Sequence, residues 1–169
     1  MSDDRRFSWG HININVQNLD QSIAFYRKLG FEVFIPGVPY VGLSIEDPAQ
    51  PIPGDTAEAL GLTENARGRA CIMQLDDGFP KIDLTELADI DQKAPLSNAD
   101  LGLVRICLVT EDLAREVERL KDEGVEFISE PKEGHMQLAD LAVCKDPDGT
   151  LIELLQVYLD RWAPLLGGE

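Results

Sequence analysis

Polar and apolar residues alternate along the first predicted strand, and a helical pattern follows it. Residues 11–16 alternate as a half-buried strand does, with every second side chain apolar. Asn18 is of the type that caps a helix, and apolar residues such as Leu19 and Ile23 then recur at helical spacing. Gly30 is placed to end this helix. The pattern predicts a strand followed by one amphipathic helix.

The same pattern occurs a second time at a constant spacing of 94 residues. Residues 10–33 align with residues 104–127 without a gap, as strand, helix, closing glycine and second strand. Each copy ends in a further apolar strand, at residues 81–87 and 150–157. The copies differ at residues 45–68, about two dozen residues rich in Pro, Gly and Ala that are present in the first copy alone.

These elements predict an α+β fold built as two tandem β-α-β-β-β modules, whose curled mixed sheets form a cleft. We expect one domain over residues 1–169, with module one at 7–88, a linker at 89–100, module two at 101–158 and a C-terminal tail at 159–169. In the middle of module one, residues 56–62 predict a short helix and residues 69–75 a strand.

One face of each predicted sheet has no helix to cover it, because a module of this kind has a single helix for several strands. Parity directs His11, Asn13 and Asn15 to that face. An apolar core has no use for two amides and an imidazole, and burying them without partners is costly. We therefore predict that the two halves contribute polar residues to one shared ligand cavity.

Composition and charge narrow the class of protein. Hydrophobic residues make up 44% of the chain and charged residues 27%, as in globular proteins. A net charge of −16 repels nucleic acids and anionic membranes and attracts cations. Neither a signal peptide nor a membrane span is evident, so we expect a cytoplasmic protein. Cys71, Cys107 and Cys144 stand in apolar strand-like contexts and are predicted to be reduced core thiols.

Several short motifs accompany the repeat: Gly10-His11-Ile12 with Asn18-Leu19; Phe25-Tyr26 with Leu29-Gly30-Phe31; Ala59-Leu60-Gly61 with Arg67 and Arg69-Ala70; and Asp146-Pro147-Asp148-Gly149 with Leu151-Ile152-Glu153-Leu154. With these motifs, nearly the whole chain resembles the vicinal oxygen chelate superfamily. That superfamily includes glyoxalases, bleomycin-resistance proteins, extradiol dioxygenases and methylmalonyl-CoA epimerases. The resemblance implies the glyoxalase-like fold but not one chemistry, because the superfamily hosts many.

The resemblance also implies a divalent metal such as Zn, Ni, Co, Mn or Fe, held by one residue from each of four strands. Three of these positions fall on His11, Asp83 and Glu153, and the fourth on Arg105. Arginine has no lone pair to donate to a metal. Two outcomes are open: three ligands hold the metal, or the charge of Arg105 replaces the charge of the metal. In the second case Arg105 either forms ion pairs with Asp83 and Glu153 or binds an anionic group of the ligand. If the cleft binds no ligand, the ion pairs have a structural role only.

Glu86 and His135 are two further candidates for the site. Glu86 is an alternative carboxylate in module one, but its parity places it on the face opposite Asp83. His135 follows Glu133-Gly134 in a predicted loop, where an exposed histidine is the more common outcome than a catalytic one.

The first functional hypothesis is a lyase or isomerase acting on a small carbonyl or carboxylate compound. A metal or Arg105 polarises the carbonyl, Glu153 moves a proton, and His135 is a further acid-base candidate, with Asn13 and Arg105 binding the ligand. Extradiol cleavage is disfavoured, because Arg105 removes the second histidine of its iron site. The alternative is a non-catalytic protein that sequesters a small molecule or antibiotic, and the acidic charge balance favours a cationic one. The resemblance further implies a homodimer.

Overall fold

The computed structural model describes residues 6–167, and the chain divides into two compact units at Gln92 and Lys93. The first unit contains β1 (His11–Asn15), α1 (Leu19–Lys28), β2 (Glu32–Ile35), β3 (Gly37–Val38), β4 (Leu43–Ser44), β5 (Gln50–Pro51), α2 (Gly54–Ala59), β6 (Arg67–Gln74) and β7 (Lys81–Leu87). The second contains β8 (Arg105–Val109), α3 (Leu113–Asp122), β9 (Glu126–Phe127), β10 (Lys132–Glu133), β11 (Ala139–Lys145), β12 (Leu151–Val157) and α4 (Leu159–Trp162).

The sheet of the first unit has the order β1-β7-β6-β2, with β5 also pairing with β6. The β1–β7 pair is parallel and the other pairs are antiparallel, so the sheet is mixed and open. A two-stranded ribbon of β3 and β4 stands beside it. The arrangement matches the α+β module predicted for the first half of the chain.

The sheet of the second unit repeats this plan. Its order is β10-β11-β12-β8, with β9 also pairing with β11, and β8 and β12 form the one parallel pair. In both units the first strand therefore lies next to the last. His11 is opposite Lys81 in the first sheet, as Arg105 is opposite Leu151 in the second. The matching registers confirm that His11 and Arg105 occupy equivalent positions.

The two long helices begin and end in the same way. The side chains of Asn18 and Asp112 cap α1 and α3 by accepting hydrogen bonds from Gln21 N and Arg115 N, at 3.0 and 3.1 Å. Each helix is followed by a glycine in the left-handed region, Gly30 with φ 96° and Gly124 with φ 84°. Both helices pack an apolar stripe on their sheet: Leu19, Ile23 and Tyr26 in the first, and Leu113, Val117 and Leu120 in the second.

The structure departs from the sequence-based expectations in a few places. The short helix of the inserted segment spans Gly54–Ala59 and not residues 56–62. The three cysteines are free, but Cys107 is exposed, so its assignment as a core thiol was wrong. Residue alternation along β8 explains this, because Cys107 shares a face with Arg105 while Ile106 and Leu108 point to the other side.

The tail predicted at 159–169 is ordered over its described part, as α4 and a 3₁₀ turn at Ala163–Leu166. It is held to the start of β11 by Trp162, whose ring nitrogen donates to the Leu138 carbonyl at 2.9 Å. Residues 168 and 169 lie outside the described residues. Within residues 6–167, every helix is too short or too polar to span a bilayer.

Candidate functional site

Two neighbouring strands of the first unit bring polar side chains to one face of the sheet. In the parallel β1–β7 pair, Asn13 is opposite Asp83 and Asn15 is opposite Thr85. Because side chains alternate along a strand, His11 projects on the same side as these four residues. All five residues line one pocket. The predicted polar face is therefore present, and it is formed within the first unit.

Asp83 is the buried carboxyl group of this pocket. Only 2% of its side chain is exposed, and its Oδ2 lies 3.4 Å from His11 Nε2. Its second oxygen, Oδ1, is buried and has no hydrogen-bond partner. Burial raises the pKa of Asp83, an effect that His11 partly offsets. Buried acceptors are almost always paired in native proteins, so an unpaired one in a pocket wall suggests that a ligand completes its contacts.

His11 joins Asp83 to an aromatic hydroxyl. The hydroxyl oxygen of Tyr40, from the 3₁₀ turn Pro39–Val41, lies 3.3 Å from the same His11 Nε2. Burial and the charge of Asp83 raise the pKa of the Tyr40 hydroxyl. When Nε2 of His11 carries a proton, it can donate to the Asp83 carboxylate. When Nε2 carries none, it can accept from the Tyr40 hydroxyl. The three groups therefore form a short path along which a proton can move.

Three further side chains form a hydrogen-bonded row beside this path. Thr85 Oγ1 donates to Asn13 Oδ1 at 2.8 Å, and Asn13 Nδ2 donates to Asn15 Oδ1 at 2.9 Å. These bonds fix the orientation of the Asn13 amide, which is then a pre-ordered part of the pocket wall. Asn13 was predicted to bind a ligand, and the structure places it where it can do so.

The rest of the pocket lining is apolar and comes largely from the segment between β2 and β6. Val41 is the last residue of the 3₁₀ turn, Leu43 is the first of β4, and Ile52, Leu60 and Leu62 come from the insertion that the second unit lacks. Ile52 and Leu43 are buried in a small core, whereas half of Leu60 is exposed. The pocket has a volume of about 250 Å³. This lies just below the roughly 300–1,000 Å³ of typical ligand pockets, so a small molecule fits best.

The equivalent face of the second unit carries an ion pair. Arg105 Nε donates to Glu153 Oε2 in a very short contact, and Arg105 Nη1 donates to Asn98 Oδ1 at 3.0 Å. Of the alternatives left open for Arg105, pairing with Glu153 is the one observed, whereas the partner of Asp83 is His11. Glu153 lies opposite Cys107, as Asp83 lies opposite Asn13. The carboxylate positions of the two modules are therefore equivalent too.

Neither of the two remaining candidates, His135 and Glu86, is among the residues that line the first-unit pocket. His135 begins a 3₁₀ turn, His135–Gln137, and is exposed on the second unit. Glu86 points to the helix side of its sheet, where Oε2 accepts from the backbone N–H of Leu19 at 2.6 Å. Parity thus correctly favoured Asp83 over Glu86 for the pocket. Tyr40 and Thr85 were missed as site residues, although Thr85 shares the parity of Asp83.

The resemblance in sequence implies a divalent metal held by His11, Asp83 and Glu153. Among residues 6–167, no group of three or more His, Cys, Asp or Glu side chains is arranged to hold a metal ion. His11 and Asp83 lie next to each other, but Glu153 is already neutralised by a guanidinium that cannot ligate a metal. These residues do not fit a divalent metal.

Comparisons with known proteins agree with this architecture. The family model described as Glyoxalase/Bleomycin resistance protein/Dioxygenase superfamily matches residues 8–154. A glyoxalase family protein from Bacillus cereus is 20% identical with a TM-score of 0.70, over 93% of this chain and 98% of that one. The trypanothione-dependent glyoxalase I of Leishmania major is 22% identical with a TM-score of 0.55, over 86% and 84%. A glyoxalase family protein from Enterococcus faecalis is 20% identical with a TM-score of 0.58, over 86% and 94%. No curated protein matches the sequence significantly.

Proposed function

Since the chain belongs to the Glyoxalase/Bleomycin resistance protein/Dioxygenase superfamily, we propose that it is a lyase- or isomerase-type enzyme that moves a proton at the carbon beside a carbonyl group. The substrate is a small molecule bound in the pocket of the first unit. The observation that carries this proposal is the shared His11 nitrogen, which lies 3.4 Å from Asp83 Oδ2 and 3.3 Å from the Tyr40 hydroxyl. Hydrogen-bonded groups of this kind supply general acid-base catalysis in many enzymes.

The chemistry assigns one role to each group. The His11–Asp83 pair takes the proton from carbon, and the electrons of the broken C–H bond move onto the carbonyl oxygen as an enolate. The Tyr40 hydroxyl and the Asn13 amide are the donors near that oxygen, where hydrogen bonds stabilise developing charge. Return of the proton to a neighbouring carbon completes an isomerisation, and loss of a leaving group completes an elimination.

This assignment moves the base from Glu153 to the first unit. Glu153 is held by Arg105, so its lone pairs already serve an ion pair. Arg105 keeps one guanidinium nitrogen, Nη2, beyond the two that contact Glu153 and Asn98. Binding of an anionic group there stays a proposal, as does a catalytic role for Glu153 or Arg105. His135 was predicted as an acid-base candidate, but it does not line the first-unit pocket, so the proton transfer proposed here gives it no role.

Proton exchange provides a test that does not need the natural substrate. A panel of small ketones and keto acids is incubated in D₂O, and loss of the α-proton signal is followed by NMR. We expect the wild type to accelerate exchange of at least one compound over buffer, and His11→Gln to lower that rate by about 100-fold, the lower range for a general base. His135→Gln is the matched control, since it removes the other imidazole of the chain, and it should leave the rate unchanged.

The alternative is a binding protein that sequesters a small molecule, which the apolar wall and the ordered Asn13 row also suit. Specific binding of a compound in this pocket without any α-proton exchange across the panel would favour that alternative. An exchange rate that is identical in the wild type and His11→Gln would refute the assigned base. Superfamily members often form dimers, and we propose a homodimer here, which sedimentation equilibrium can test.

A further inference from the structure

We infer that the first-unit pocket selects a ligand with an apolar body and a polar head group that donates hydrogen bonds and carries no negative charge. The inference rests on the proposed function, since it concerns the same pocket, and it adds the chemical class of the molecule. It follows from three features: an unpaired acceptor, the position of the nearby cations and the apolar wall.

One buried oxygen at the polar end of the pocket has no donor. Thr85 Oγ1 already donates to Asn13 Oδ1, and Asn13 Nδ2 directs one of its two N–H groups to Asn15 Oδ1. Asp83 Oδ1 is left as a buried acceptor without a partner. A hydroxyl or amino group of a ligand would provide the missing N–H or O–H, whereas a carboxylate or phosphate would bring more acceptors to an oxygen that lacks a donor.

The cationic side chains on the strands next to Asp83 form contacts outside the pocket. Lys81 is on the same strand and of the same parity as Asp83, but its Nζ donates to Gln74 Oε1 at 3.0 Å and to the Asp76 carbonyl at 2.8 Å. The rings of Phe34 and Phe79 each lie 5.0 Å from that ammonium group. Lys81 is 4% exposed and is not among the residues that line the pocket.

Arg69, on the adjacent strand β6, is fixed in the same manner. Its guanidinium contacts the carboxylate of Asp20 at 3.1 Å and the carbonyl oxygen of Ile45 at 2.7 Å. The lining residues of the pocket include no Lys or Arg within the described part of the chain. An anionic head group would meet the Asp83 carboxyl without a guanidinium or ammonium partner, and the His11 imidazole of the lining already faces Asp83 Oδ2 at 3.4 Å. Burying an unpaired charge is strongly unfavourable.

The inserted segment, residues 45–68, determines which apolar body of a ligand the pocket accepts. Ile52, Leu60 and Leu62 offer an apolar surface with no hydrogen-bonding side chain, so an aliphatic or aromatic body fits against them. The second unit lacks these residues, and its equivalent face carries the Arg105–Glu153 pair. The segment that distinguishes the two copies thus forms the wall that would determine which body is accepted.

Three probes with the same ring and different head groups test the inference: benzyl alcohol, benzylamine and benzoate. Each is titrated into the ¹⁵N-labelled full chain at pH 7 with EDTA, and the side-chain amide signals of Asn13 and Asn15 are followed by NMR. We expect the alcohol and the amine to shift these signals with dissociation constants at least tenfold lower than that of benzoate.

Two variants locate the binding. Leu62→Trp fills the apolar half and should abolish the shifts caused by all three probes, whereas Leu101→Trp is the matched control at a residue that is 95% exposed in the second unit, and it should change nothing. Asp83→Asn should reduce the discrimination against benzoate by removing the carboxyl charge. It also keeps the test valid if Leu62→Trp does not fold.

The outcomes separate this inference from the proposed function. Benzoate binding as tightly as the alcohol, with loss in Leu62→Trp, overturns the inference and leaves proton transfer in this pocket intact. Benzoate binding that requires added Zn²⁺ also overturns it, because the metal then supplies the missing charge. If none of the probes reaches the Asn13 and Asn15 amides at millimolar concentration, the inference and the assignment of the pocket both fail.

Discussion

Glu86 provides the sharpest test of how the long helix is held to the last strand within each module, because the second copy carries a neutral residue, Gln156, at the equivalent position. Glu86 Oε2 accepts from the first backbone N–H of α1 at 2.6 Å, and Gln156 Oε1 accepts from the corresponding N–H of α3 at 2.9 Å. The two contacts join equivalent atoms, but the acceptor is a charged carboxylate in the first module and a neutral amide in the second. Comparing substitutions at the two positions therefore measures how much the charge contributes to the free energy of unfolding.

The expected magnitudes follow from these contacts. A hydrogen bond to a charged group contributes about 1.5–3 kcal/mol and a neutral one about 1 kcal/mol, and a carboxylate at a helix N-terminus adds a few tenths. Glu86 also lies 3.6 Å from Nη1 of Arg69, a buried guanidinium that keeps Asp20 and Asp47 as partners. We expect Glu86→Ala to lower the free energy of unfolding by about 2–3 kcal/mol, and Glu86→Gln and Gln156→Ala by about 1 kcal/mol each.

Urea unfolding followed by circular dichroism measures these differences at pH 7, and hydrogen exchange at Leu19 N–H reports the local contact. Salt at 1 M should reduce the gap between Glu86→Ala and Glu86→Gln in part, since the side chain of Glu86 is 23% exposed and its charge is partly screened. The reasoning is refuted if Gln156→Ala destabilises as much as Glu86→Ala, or if Glu86→Ala costs less than about 0.5 kcal/mol, the range of an ordinary surface substitution.

Two further predictions concern titratable groups. Cys107 should react with a maleimide in the native protein, whereas Cys71 and Cys144 should stay protected, because these two thiols are buried and burial raises the pKa of each to about 12. Mass spectrometry should show one adduct per native chain and three in urea. Two or more adducts on the native chain would contradict the burial of Cys71 and Cys144. The Asp83→Asn variant should gain stability relative to the wild type as the pH rises above about 4, the pKa of an unfolded aspartate, because burial raises the pKa of Asp83 and its ionisation then opposes folding. If the unfolding free energies of the two proteins run parallel between pH 4 and 7, Asp83 is not desolvated.

The parts of the site that lie on regular strands could be predicted from the sequence. Alternation directs His11, Asn13 and Asn15 to the sheet face without a helix, and it places Glu86 on the face opposite Asp83, whose role the family resemblance implies. Constant spacing between the copies placed Arg105 in the position of His11. The error at Cys107 did not come from a lack of signal, because its parity with Arg105 was visible in the sequence.

The parts that lie on irregular segments could not be predicted in the same way. Tyr40 reaches His11 from 29 residues away along the chain, by a 3₁₀ turn that ends at Gly42 in the left-handed conformation, φ 78°. No periodicity encodes that approach, since it depends on how the turn packs against the inserted segment. The apolar wall has the same origin, because Ile52, Leu60 and Leu62 come from separate short segments that only tertiary packing brings together.

The difference between the two copies bears on what duplication makes possible. In each module, the first and last strands place a nitrogen-bearing side chain near a carboxylate on the face opposite the helix, His11 with Asp83 and Arg105 with Glu153. Histidine can gain and lose a proton near neutral pH, whereas arginine cannot, so only the first pair is suited to carry a proton. The first module also has the insertion that forms a pocket around its pair. The same strand geometry thus holds a His–Asp pair where the pocket lies and a permanent ion pair where the insertion is absent, which is why we propose proton transfer in the first module.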